Sequence, residues 1–171
     1  MHRAWLSVVA TLIVAPAAQA GVHPPEVEAR LAAIVHDWTI EGMEGAYRET
    51  CEWYYDRSFV VCNTTETEKG KTFRSVSILG WSDQRQTYTY HHYGSTGRSR
   101  SEVGYPTPEG GIVFLGERQS AAGATQYRSV LRPRLPGPGF EFSQTRSVNG
   151  GAWEPSANFH YVPYRSSASQ R

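Results

Sequence analysis

The chain has 171 residues, with 17 lysine or arginine residues against 16 aspartate or glutamate, and a formal net charge of +1. That balance lacks the basic excess of a general nucleic-acid or anionic-membrane binder, and with Lys69 and Lys71 as its only lysines the chain has no polybasic run. The length suits one domain with its own core.

The first twenty residues differ from the rest. Arg3 gives a positive start, Trp5 to Val14 is an uncharged apolar run, and Ala18-Gln19-Ala20 offers the small-x-small pattern of a signal-peptidase site. The expectation is a signal peptide over 1–20, cut before Gly21, with a buried helix or retained anchor as the competing reading. The apolar run is shorter than the roughly 20 residues that span a bilayer, so cleavage leaves no stable membrane anchor. Removal takes Arg3 with it and leaves 16 basic residues facing 16 acidic ones. The expected location is periplasmic or secreted, where disulfides persist.

A short helix is expected to open the remaining chain. Pro24-Pro25 can start it, and Val27, Leu31, Ile34 and Val35 recur on one helical face that needs apolar cover, such as a barrel's open end. From Trp38 the helical period gives way to short runs of aromatic and β-branched residues. About ten strands are expected: 37–42, 46–54, 58–65, 71–81, 86–94, 98–105, 110–117, 124–132, 139–148 and 151–163. Turn signals separate them, of which Asn149-Gly150 is the strongest, because a type I′ turn needs positive φ at both central residues. The fold class is therefore all-β: an antiparallel up-and-down barrel closed to remove its edges, with an open β-sandwich as the alternative. One domain, 21–165, is expected, followed by a disordered tail over 166–171.

A two-residue loop at Asp56-Arg57 would set Cys51 directly opposite Cys62, which predicts a structural disulfide. The spacing between the two fits neither a CxxC redox pair nor a zinc framework.

Leu31 to Gly42, with Trp38 on the first strand, resembles the opening of lipocalin-like (calycin-type) barrels, where a helix leads into a G-x-W motif. Here His36 stands at the family glycine. Cys51-Glu52-Trp53, Gly80-Trp81, Tyr88-Thr89-Tyr90, Ser95-Thr96-Gly97 and Asn149 to Trp153 are similar in layout to a group of exported bacterial proteins of unassigned function with such barrels. The resemblance covers most of residues 31–165. It implies a barrel around a pocket, and a structural cation–π contact of Arg165 on Trp38. It does not imply a ligand.

Tyr88 to Tyr93 is the most unusual segment. Alternate side chains point to opposite faces, and a three-residue loop at Ser95-Thr96-Gly97 would pair His92 with Arg100 and Tyr90 with Glu102. Charged Arg100 and Glu102 prefer water, so the expectation places them outside and turns His91 and Tyr93 inward, beside Ser101 and Ser99. The opposite parity follows if Arg100 and Glu102 form a buried pair that grips an acidic ligand.

The candidate ligand-binding residues are thus His91, Tyr93, Ser99, Ser101, Tyr127 and Phe142, around a small hydrophobic or aromatic molecule. The histidines are scattered or adjacent on opposite faces, so no metal site is expected, and no cofactor. No nucleophile elbow or other catalytic motif is present. The expected function is a small-molecule-binding barrel. The alternatives are an enzyme using a pocket histidine and a carboxylate, and a ligand-free envelope interaction protein. The aromatic residues are expected to form core, with no nucleic-acid partner.

Overall fold

The computed structural model describes residues 23–121 and 123–165. The expected leader over 1–20 and the expected tail over 166–171 lie outside the described residues. One helix, α1 (Pro25–Ala32), precedes ten strands: β1 (Asp37–Ile40), β2 (Tyr47–Tyr54), β3 (Phe59–Glu68), β4 (Lys71–Ser82), β5 (Thr87–Gly94), β6 (Ser99–Pro106), β7 (Ile112–Ser120), β8 (Gly123–Pro133), β9 (Phe140–Val148) and β10 (Glu154–Pro163). Each strand pairs antiparallel with its neighbour in sequence, and β1 pairs with β10, so the sheet closes as a barrel and not as an open sandwich. No helix among the described residues is long and apolar enough to cross a membrane.

Turn chemistry sets the registers. At the β2–β3 tip Asp56 and Arg57 both have positive φ, and the Ser58 amide donates to the Tyr55 carbonyl at 3.0 Å, which is a type I′ geometry. Cys51 therefore faces Cys62, and the two form a disulfide on the barrel's inner side. A second two-residue turn at Lys69-Gly70, again with positive φ at both positions, puts Ser77 opposite Cys62. Asn149-Gly150 makes the expected I′ turn, with the Gly151 amide donating to the Val148 carbonyl at 2.9 Å. The strand after it begins only at Glu154, and a bulge between Pro155 and Ala157 shifts its register.

The helix covers one end. Pro25 occupies its first turn, where a missing N–H costs nothing, and Val27 and Leu31 turn into the barrel. They join Ile34, Trp38, Val60, Tyr88, Ile112 and Phe140 in one buried cluster. Trp38 is 2% exposed, donates from Nε1 to the Ile34 carbonyl at 2.6 Å, and meets Phe140 edge-on at 5.0 Å. Two ties hold the helix to the β2–β3 turn: Arg57 to Glu28 at 2.8 Å, and His23 Nε2 to the Ser58 carbonyl at 2.7 Å.

The expected contact of Arg165 on Trp38 is not formed. β10 ends at Pro163, the residue facing Trp38, so Arg165 lies past the last ladder pair and is exposed. Phe140 and α1 already fill the space around the indole. The cation–π contact at this edge is instead Arg48 over the Tyr164 ring at 4.7 Å.

Candidate functional site

Above the apolar floor the barrel holds a cavity of about 300 Å³. Ile34, Leu79, Phe114, Leu131 and Phe140 form its lower wall, and Phe142 stacks on Phe159 at 6.1 Å higher up. Glycine makes part of this wall possible. A Cβ on Gly104 would lie 2.6 Å from the Phe114 ring, and Gly104 is the residue that faces Phe114 across the ladder. Gly116 faces Glu102, and a Cβ there would come within 2.6 Å of the Glu102 Cγ. The bare backbone at Gly116 leaves room for an inward carboxylate.

A belt of polar side chains crosses the cavity at mid-height. On one wall the Tyr47 hydroxyl donates to Glu49 Oε2 at 3.3 Å, Thr64 Oγ1 donates to Glu49 Oε1 at 3.2 Å, and the Tyr47 and Tyr161 hydroxyls meet at 3.3 Å. Burial pushes the Glu49 carboxyl above its ordinary range, and the two hydrogen bonds oppose that shift. Burial also drives both phenols well above the usual tyrosine value, with the nearby Glu49 charge adding to it.

On the facing wall, Ser77 Oγ lies 3.1 Å from both the Tyr90 hydroxyl and His92 Nδ1. Arg100 Nη2 donates to the Tyr90 hydroxyl at 3.1 Å, and its guanidinium lies 5.1 Å from the Tyr90 ring centre. Arg100 Nε stands 3.5 Å from Glu102 Oε1, an ion pair without a hydrogen bond, and neither atom has a hydrogen-bond partner among the described residues. Glu102 is 5% exposed, and burial raises its carboxyl while Arg100 draws it back. Burial works against the Arg100 charge, but Tyr90 and Glu102 outweigh it and hold the guanidinium more firmly protonated than usual. Burial, and then Arg100, lowers His92, which favours the neutral imidazole.

This geometry corrects the expected inward face. The pairing itself is as the loop predicts, His92 to Arg100 and Tyr90 to Glu102. The interior set, however, is Tyr88, Tyr90, His92, Arg100 and Glu102. His91 points outward and bonds through Nδ1 to Ser101 Oγ at 2.9 Å on the exposed side, Tyr93 is 51% exposed, and Ser99 and Ser101 are exposed. The expectation failed because it set the two charges against water one at a time. Inside, each partly compensates the other, Tyr90 accepts from Arg100, and Gly116 provides the space.

Phe142 lines the main cavity, and Tyr127 lines an adjoining one between β6 and β7, which Ser99 and Ser101 border from outside. Glu49, Tyr161, Ser77 and His92 were missed. The disulfide was the signal that could have found all but Tyr161: with Cys51 and Cys62 inside, alternation puts Glu49 and Thr64 inside, and the Lys69-Gly70 turn carries the same face to Ser77, which faces His92.

Glu49 also comes within 4.8 Å of both cysteine sulfurs. Those sulfurs are bonded to each other, so neither is a thiolate ligand, and this trio does not fit a metal ion. No protein-family model and no curated protein matches the chain, so the functional reading stands on the barrel and its cavity.

Proposed function

We propose that the chain is an exported, lipocalin-like barrel that holds one small molecule. Its apolar or aromatic body would rest on Leu79, Phe114, Leu131 and Phe142, with a polar group reaching the mid-height belt. One observation carries this reading: a cavity of about 300 Å³ combines an aromatic floor with buried ionisable groups shifted from their ordinary values. A core built only for stability gains nothing from a buried carboxylate, since an apolar residue of similar volume packs at lower cost. The disulfide is consistent with an oxidising compartment, as is the amino-terminal sequence pattern. Native mass spectrometry of the protein purified from a bacterial periplasm tests the reading. The expected spectrum shows a retained small molecule that is lost in Leu79→Trp, a variant that fills the floor. A folded wild type that carries nothing and takes up nothing from a periplasmic extract contradicts it.

A second reading, acid–base catalysis, has one observation in its favour: raised carboxyls at Glu49 and Glu102 share the cavity with a neutral-leaning His92. Turnover of the retained molecule, abolished in Glu102→Gln while the molecule still binds, would select it.

A further inference from the structure

The wall between β6 and β7 is open at one end. Their ladder runs from Pro106 facing Ile112 to Glu102 facing Gly116 and stops there, although β6 extends back to Ser99 and β7 on to Ser120. Both strands remain paired on their other sides, β6 with β5 as far as Ser99 and β7 with β8 as far as Ser120. At this end the seam between them parts while the seams on either side stay paired. Continuing the register would set Arg100 against Arg118, two cations on the same inward face, and like charges directly opposite destabilise a ladder.

A cavity of about 330 Å³ fills the gap and shares Arg100 and Glu102 with the main cavity. Arg98 and Arg118 also line it, and among the described residues neither forms an ion pair. Arg118 sits over the Tyr127 ring at 5.9 Å. Of the two carboxylates at the gap, Glu102 already faces Arg100, and Glu117 accepts from Gln119 on the outer side. The seam thus holds more guanidinium charge than carboxylate, beside a cavity with an aromatic floor.

We propose that this seam is a binding site for the acid group of a small organic oxyanion whose apolar body lies in the main cavity, held by Arg118 and Arg98 with Arg100 at the inner end. This rests on the proposed binding function and adds the ligand's chemical class. An oxyanion between Arg100 and Arg118 removes the repulsion that stops the ladder, so binding draws the two strands together.

Isothermal titration with 4-phenylbutanoate and its neutral amide, 4-phenylbutanamide, tests the site. The acid is expected to bind at least tenfold more tightly, and Arg118→Gln, an exposed position, to erase that preference, with Arg98→Gln reducing it. Hydrogen exchange supplies the second readout: amides of 99–101 and 117–120 are expected to slow with the acid and not with the amide. Equal affinity for the two compounds, or a preference that survives in Arg118→Gln, overturns the seam site and leaves the cavity reading standing. Failure of both compounds to bind contradicts the cavity reading as well.

Discussion

At the α1 end of the barrel Leu31, Trp38, Val60 and Phe140 are buried against one another, and the one polar atom of Trp38 is matched to a backbone carbonyl. One layer above, Glu49, Tyr90, Arg100 and Glu102 occupy equivalent inward positions, and Glu102 Oε1 has no hydrogen-bond partner among the described residues. The floor gains from every apolar group it removes from water. The belt works against folding, because a buried charge recovers its hydration only in part from its partners. Two layers of one barrel therefore answer to different demands, the lower to stability and the upper to something that needs charge and hydrogen bonding in a dry place. Substitutions in each layer should behave in opposite ways.

The largest loss is expected at the floor. Trp38→Ala removes the biggest fully buried side chain and should cost about 3–5 kcal/mol in urea denaturation. A loss under about 1 kcal/mol would mean that the floor does not hold the barrel closed. Next comes the cross-strand staple. Replacing Cys51 and Cys62 together by alanine frees a loop with a sequence separation of 11 and should cost about 2–3 kcal/mol by the same measurement.

In the belt the sign reverses and depends on pH. Burial holds the Glu49 carboxyl above its ordinary value of 4.5, so over a window above that value the folded chain keeps a proton that the unfolded chain has lost. The stabilisation from that proton is complete below 4.5 and disappears as the pH rises through the raised folded value. Glu49→Gln keeps an acceptor for Thr64 and never ionises. Calorimetric melting is therefore expected to show little difference between variant and wild type in acid, and a more stable variant at neutral pH. Parallel profiles at all pH values would show that the carboxylate is not buried as described.

How far the sequence carries is visible in the two hairpins. In β2–β3 the register was legible, because a two-residue turn at Asp56-Arg57 aligns the cysteines and two cysteines allow one pairing. In β5–β6 the register was equally legible, but the face was not. Charge preference was the only guide there, and it fails where a buried cation and anion lie together. The compensation came from Tyr90 on one neighbouring strand and from Gly116 on the other, one turn later in the chain, neither of which marks itself as a partner in one dimension. A count of parity across the two-residue turn at Lys69-Gly70 carries the inner face from Cys62 to Ser77 and so to His92. The resemblance to lipocalin-like openings suggested the capped barrel and overreached at Arg165, which lies beyond the last paired residue.

Adjacent histidines on one strand offer the smallest and sharpest contrast, since His91 and His92 differ in nothing but the wall they face. Tryptophan at each position, with native mass spectra recording the fraction of protein that retains its small molecule, asks which face encloses the ligand. The expected result is full retention in His91→Trp and loss in His92→Trp. Retention in His92→Trp with loss in His91→Trp would place the binding surface on the outside of the barrel and contradict the interior site.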